Sequence, residues 1–255
     1  MSEVANRERS RRTEEEIKRT KYFSAFAVKH LEEMHILKKG GILGKEKIEG
    51  GVKDNKWRNV SEHCLVEAVI ADILAEAVDA SKEQRKRAVQ ATLLHDWYKR
   101  QEVEAMEKDG GVRGHERAAR EELQLLEEYG VDENLRKLIH SNIPDSADPE
   151  YLLSRTLEEK IIHFADAILK GTIITDFHKR MDPENQSSTM IEYSESLRPR
   201  FGGKSLLEFQ IQVAESEQRE FEDAIGIQQG TLYDFIKTKI QERIDANSLN
   251  PNYYE

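Results

Sequence analysis

The chain has 255 residues, of which 35% are charged and 38% hydrophobic, with a net charge of −10. That length suits one large domain or a core with helical additions, and it can bury a substantial interior. The acidic balance argues against tight non-specific nucleic-acid binding, which needs Lys and Arg against phosphates, and the modest apolar content requires amphipathic helices rather than many buried strands.

Taken in chain order, Arg7 to Lys21 is basic but interleaved with Glu, and reads as a solvated helix start or tail. From Glu14 to Leu37 the apolar residues Ile17, Tyr22, Phe23, Phe26, Ala27, Leu31 and Met34 recur at helical spacing, predicting one amphipathic helix. Glycines 40, 41, 44, 50 and 51 punctuate a loop over 40–56. A second helix is expected from Ser61, a residue suited to an N-cap. Ser81 predicts the cap of a third, which runs to about Arg100 and is apolar on most sides at Ala91-Thr92-Leu93-Leu94. After Gly110-Gly111 come helices over Gly114–Tyr129 and Asn134–Ser141, a loop over Pro144–Pro149, and a helix over Thr156–Thr172. The pattern fades from Lys179 to Lys204, predicting a long loop or weak helix. Ser205–Ile225 and Gly230–Ala246 then read as two C-terminal helices, with Leu206, Phe209, Ile211, Val213 and Phe221 able to dock on the core. No segment alternates cleanly enough for a strand.

Cys64 is the only cysteine, so no intrachain disulfide can form, which fits a reducing compartment. The sequence shows no apolar signal core and no run able to span a bilayer. The expectation is a cytoplasmic protein without membrane association.

The chemistry sits in the histidines and aspartates. His95 and Asp96 are adjacent near the end of an apolar helix, where a buried imidazole and carboxylate are costly unless paired or bound to metal. His63 opens the preceding helix, and Asp166 interrupts the apolar run Ile161-Ile162-His163-Phe164-Ala165. Two imidazoles and two carboxylates on three helices suit a transition metal. His30 and His35, in the first helix, read as surface or core residues. His163 is read as a core residue or a support for Asp166, and His178 as structural.

The series His63, His95-Asp96, Asp166 resembles the HD-domain superfamily of metal-dependent phosphohydrolases over residues 55 to 175. The resemblance implies an all-α helical bundle with His63, His95, Asp96 and Asp166 as metal ligands. Lys99 completes an HDxxK sequence, and in many members a lysine there contacts phosphate. His115 and His140 match the extra histidines of branches that hold two metals, in which the HD aspartate bridges both ions. That pattern is similar to bacterial HD-type hydrolases of diadenosine tetraphosphate. The HD-GYP class is less well matched, because Ser141 stands where it has a further histidine and its GYP motif is missing. Arg58-Asn59-Val60-Ser61-Glu62-His63 resembles the start of the 5′-deoxynucleotidase branch, but Trp97-Tyr98-Lys99 replaces that branch's acidic residue after HD.

The resulting expectation has three parts: an N-terminal helix and glycine-rich loop over 1–55, a metal-binding core over 56–178, and a loop with C-terminal helices over 179–255. The function expected is hydrolysis of a phosphate ester or anhydride of a small molecule, a nucleotide in the first instance. One or two divalent ions (Fe, Mn, Co, Ni or Zn) would activate water. Asp96 and Lys99 are the expected catalytic groups, and Arg58, Lys99 and Lys170 the expected substrate contacts. Loops 40–56 and 181–204 are candidate pocket borders, the latter with Arg198, Arg200 and Lys204 as phosphate-binding charge. Gly40-Gly41-Ile42-Leu43-Gly44-Lys45 lacks the spacing and the preceding strand of a phosphate loop. An HD-fold di-iron oxygenase and a non-catalytic nucleotide-binding module are the alternatives, and a homodimer is left open.

Overall fold

The computed structural model describes residues 13–48, 51–54, 56–141, 150 and 155–246. The described residues form twelve α-helices and two small antiparallel hairpins, so the fold is all-α. Helices α1 (Glu14–Lys29) and α2 (Leu31–Lys39) precede the hairpin of β1 (Lys45–Ile48) and β2 (Gly51–Asp54). The middle of the chain holds α3 (Arg58–Ala77), α4 (Lys82–Leu94), α5 (Lys99–Asp109), α6 (Gly111–Glu128) and α7 (Glu133–Ser141). Then come α8 (Leu157–Ala167), the hairpin of β3 (Leu169–Lys170) and β4 (Ile173–Ile174), and α9 (Phe177–Met181). The chain continues with α10 (Ser188–Ser196), α11 (Leu206–Ile225) and α12 (Leu232–Ala246).

Four helix starts are written locally as capping boxes. Thr13, Ser81, Thr156 and Ser205 each accept from the backbone N–H three residues on, where Glu16, Gln84, Glu159 and Glu208 reach back. This reciprocal bonding satisfies donors that would otherwise be orphaned at a helix start. Ser61 is not a cap. Helix α3 begins at Arg58, and the Ser61 hydroxyl donates to the Arg58 carbonyl.

The helices α3, α4 and α8 pack on one another at the centre. Their apolar faces share one core with Tyr22 and Phe26 of α1, Phe221 of α11 and Leu232, Ile236 and Ile240 of α12. Of the C-terminal apolar residues, Leu206, Phe209, Val213 and Phe221 are buried. A second core gathers Leu37, Ile42, Trp97, Leu126 and Ile139 beneath α6 and α7.

A buried ionic network fastens the C-terminal helix to the centre. Asp72 of α3 is 2% exposed, and its carboxylate accepts from Arg85 at 2.5 Å and Arg243 at 2.6 Å. Burial of an ion pair this deep requires its charges and lone pairs to be met, and two guanidinium groups on one carboxylate do so.

The structure departs from the sequence reading at several boundaries. The expected first helix is broken at His30, whose backbone leaves helical geometry while its ring is buried against Phe26. The expected glycine-rich loop contains the β1–β2 hairpin. The third helix stops at Leu94 rather than Arg100. His95 to Tyr98 form a turn, and a separate helix begins at Lys99. The helix expected to reach Thr172 ends at Ala167 and is followed by the β3–β4 hairpin. Residues 179–204, expected as a long loop or weak helix, hold the end of α9, a 3₁₀ turn and the nine-residue α10. The loop expected at Pro144–Pro149 lies outside the described residues.

Candidate metal centre

The site is assembled from α3, the turn after α4, and α8. His63 and Glu67 are one helical turn apart on α3, so they share a face. Both are buried, Glu67 completely. His95 enters from the turn that ends α4, and Asp166 from the last turn of α8. One donor atom from each of His63, Glu67, His95 and Asp166 lies within 4.8 Å of every other.

Both imidazoles are oriented by backbone carbonyls. His63 Nδ1 donates to the Gly171 carbonyl at 2.8 Å, and His95 Nδ1 donates to the Thr92 carbonyl at 2.7 Å. Gly171 sits at φ +61°, a left-handed conformation that glycine adopts without penalty in the tight β3–β4 turn. With Nδ1 directed to a carbonyl, each ring turns Nε2 toward the centre; burial opposes the charged form of His63, but Asp166, Asp96 and the Gly171 carbonyl outweigh it and raise its pKa. Both Nε2 atoms lie 3.3 Å from Glu67 Oε2, and His63 Nε2 lies 3.5 Å from Asp166 Oδ1.

The carboxylates are held differently. Asp166 accepts from Arg180 at 2.7 Å through its side chain, and Arg180 also binds its backbone carbonyl. Burial pushes the Asp166 carboxyl up, but Arg180, His63 and His95 outweigh it and hold it well below the ordinary carboxylate range. Glu67 has no hydrogen-bond donor on either oxygen. Burial, with Asp166 and Asp96 nearby, drives its pKa well above the ordinary value. Asp96 lies 3.7 Å from His95 Nε2 through Oδ2 and 3.7 Å from Lys99 Nζ through Oδ1.

A cavity of about 480 Å³ opens beside this cluster, within the range of small-molecule sites. His95, Asp96, Asp166 and Arg180 form its polar end, and Lys99, Glu102 and His115 continue it. Lys99 Nζ reaches Glu102 at 3.0 Å, and His115 Nδ1 faces Glu102 Oε1 at 2.9 Å. Glu102 is held down to about 2: burial raises it, but Lys99 and His115 prevail. The lining also includes the apolar Ala118, Ala119, Met106 and Met190, and Glu122.

The expected residues therefore fall into distinct places. His63, His95 and Asp166 converge, and Asp96 and Lys99 adjoin them. His115 lines the same cavity, but neither it nor His140, on α7, belongs to the group of four donors. Arg58 pairs with Glu62 at 2.7 Å beside a separate groove with Arg19 and Thr172. Lys170 is exposed on β3, and its Nζ meets Asn185 at 3.5 Å. The 181–204 segment does border the cavity, but through Met181, Gln186, Ser187, Met190 and Tyr193. Its basic residues are engaged elsewhere: Arg198 with Glu195 and Glu208, Lys204 with Gln212, and Arg200 over Phe201. The 40–56 segment borders the Arg58 groove through Leu43 and Gly44. His163 lines the cavity but gives its Nδ1 to buried Glu217 at 2.6 Å. His178 is exposed, 3.5 Å from Glu215. His30 is a core residue and His35 a surface one.

Two members of the site went unread in the sequence. Glu67 carried a signal, a carboxylate four residues after His63 that interrupts the apolar stretch from Leu65 to Ala71. Arg180 carried none, because it reaches Asp166 only through the fold.

Residues 60–171 match the family model of the HD domain. This span contains His63, His95, Asp96 and Asp166, and it is an HD domain, of the superfamily of metal-dependent phosphohydrolases. No curated protein and no solved structure matches the chain significantly. No helix among the described residues is long and apolar enough to cross a membrane.

The residues fit a divalent cation. Two imidazoles preset to offer Nε2, beside buried carboxylate oxygens that lack donors, form an N/O donor set suited to transition metals.

Proposed function

We propose that this protein hydrolyses a phosphate ester or anhydride of a small molecule, with a nucleotide as the favoured substrate class, using a divalent ion held by His63, His95, Asp96 and Asp166. The observation that carries the reading is the grouping of one donor atom each from His63, Glu67, His95 and Asp166 within 4.8 Å, beside a cavity that His95, Asp96 and Asp166 line. A divalent ion there supplies Lewis acidity and lowers the pKa of water.

The chain's own groups prepare the rest. Lys99, charged beside Asp96 and Glu102, faces the cavity where phosphoryl oxygens would accumulate charge. Arg180 fixes Asp166 in its ionised state. Glu102 holds both Lys99 and His115, which places His115 for contact with substrate or a second ion. The apolar lining at Ala118, Ala119 and Met190 would suit the apolar face of a nucleobase. Dinucleoside polyphosphates are one class within this proposal. A cytoplasmic location is part of the same reading.

The test is elemental analysis of protein purified without chelator, together with phosphate release from a panel of nucleotides. Near-stoichiometric metal and turnover, both lost in His95→Ala and Asp96→Ala, is the expected result. Metal without phosphate release, accompanied by oxygen consumption in an iron-loaded sample, would replace the hydrolase with an oxygenase. No metal after reconstitution would leave a helical binding module.

A further inference from the structure

The four residues that the HD pattern assigns to the metal leave one group at the centre without a role. Glu67 is completely buried. Neither of its oxygens has a hydrogen-bond donor. The Nε2 atoms of His63 and His95 each lie 3.3 Å from its Oε2, and a carboxylate oxygen of Asp166 lies within 4.8 Å of a Glu67 oxygen. Both rings spend their Nδ1 protons on backbone carbonyls. The two Nε2 atoms are therefore the ring nitrogens turned toward Glu67. A buried carboxyl with no hydrogen-bond partner costs several kcal/mol unless something else compensates it.

The backbone shows that the placement is built in. Glu67 follows His63 by four residues on a twenty-residue helix, so its side chain lies over the same face. The flanking residues Val66, Ala68, Val69 and Ile70 are all buried in the main apolar core. No rotation of the helix could bring Glu67 to water without exposing them.

We infer that Glu67 is itself a ligand of the metal, so that the centre presents two imidazoles and three carboxylates, those of Glu67, Asp96 and Asp166. This inference rests on the metal-centre reading above and extends it. Asp96 lies outside the tight group of four, tied toward Lys99, whereas Glu67 lies inside it. A third carboxylate also sets the class of ion. Carboxylate-rich N/O sets suit Mn(II) and Fe(II), which take six ligands readily, over Zn(II), which settles for four. The charges agree with one divalent ion. The carboxylates Glu67, Asp96, Asp166 and Glu102 exceed the cations Lys99 and Arg180 by two negative charges.

The experiment compares Mn(II) and Zn(II) affinity of the whole wild-type protein with that of Glu67→Gln and Glu67→Asp, by competition against a chromophoric chelator. Melting of the metal-free proteins is followed in parallel. Glu67→Gln keeps the size and polarity of a protonated glutamate, so its metal-free melting midpoint should match wild type. Its Mn(II) affinity should fall by at least about tenfold, more than its Zn(II) affinity does, and Glu67→Asp should recover part of the Mn(II) loss. Unchanged affinity for both ions in a folded Glu67→Gln would overturn the inference while leaving the metal centre intact. Equal losses for both ions would retain Glu67 as a ligand and overturn its role in choosing the ion. Failure of the wild type to bind either ion would overturn the underlying reading instead.

Discussion

The rings of His63 and His95 stand 5.8 Å apart, centroid to centroid, and are turned toward each other by two backbone carbonyls from different parts of the chain. The Gly171 carbonyl takes the proton of one and the Thr92 carbonyl that of the other. Neither acceptor is a side chain, so the tautomer of both rings is set by the fold itself. This geometry is preorganised for a cation, and it links metal affinity to the integrity of the β3–β4 hairpin and the end of α4.

Lys99 should separate metal binding from turnover. Its ammonium meets Asp96 and Glu102 at the cavity wall. Removing a charge that stabilises the transition state costs on the order of 10²–10³ in kcat. Lys99→Met is expected to lower phosphate release by about that factor with metal content kept, read from elemental analysis and steady-state kinetics on the same sample. Full activity in Lys99→Met would remove the lysine from the proposed chemistry.

Gly40 controls the turn that carries His95 and Asp96. A Cβ placed on Gly40 would lie 2.0 Å from the Trp97 carbonyl oxygen, a backbone atom that cannot swing aside. The Gly40 carbonyl also accepts from Gln101 at 3.1 Å. Gly40→Ala is therefore expected to cost about 1–3 kcal/mol, as overpacking does, and to weaken metal binding from outside the cavity. Denaturant melts and metal titration of the variant check this. A variant as stable and as tight as wild type would show that the approach is looser than it looks.

The ionic network predicts which truncation will do most damage. Asp72 receives both Arg85 and Arg243 in the interior. Asp72→Ala would leave part-buried Arg85 and buried Arg243 with only the more exposed Glu76 as a shared carboxylate, a loss of about 2–4 kcal/mol. The proposed metal ligands are far less suited to explain such a loss in metal-free protein. Urea unfolding of Asp72→Ala in the presence of chelator makes the measurement, and a loss under about 1 kcal/mol would assign the network no more than surface-pair strength.

Glu122 should give the protein a pH-dependent stability on the alkaline side. It is buried on α6 with one oxygen lacking a donor. Burial pushes its carboxyl up to about 8, helped by Glu102 and Asp96 against Trp97 and Lys99. A carboxyl raised in the folded state favours folding fully below its unfolded pKa near 4.5 and loses that advantage as pH climbs toward 8. The penalty at higher pH is up to about 5 kcal/mol. Glu122→Gln should therefore gain stability over wild type as pH rises from about 4.5 to about 8, seen as diverging melting midpoints. Parallel curves across that range would mean that Glu122 ionises as it does in the unfolded chain.

Much of this protein could be read locally. The capping serines and threonines marked helix starts at residues 81, 156 and 205, because a cap and its partner three residues on form a self-contained unit. His63, His95-Asp96 and Asp166 could be picked out because polar ligating residues stand out in apolar helical runs. The break at His30 and the stop at Leu94 could not, since neither has a proline or glycine to announce it and the backbone turns there to meet the packing of neighbouring helices.

The sequence by itself determined the helical class, the binary pattern of the core and His63, His95, Asp96 and Asp166 as candidate ligands, all of which follow from short-range spacing and side-chain chemistry. Only the tertiary structure decided which of those groups meet. Arg180 reaches Asp166 across fourteen residues and Glu67 stands between two histidines from different segments. Arg58 and Lys170 line separate surfaces despite their proximity in sequence to the candidate ligands. Convergence in space depends on how helices cross and where turns point, and those are properties of packing between segments that no single segment encodes.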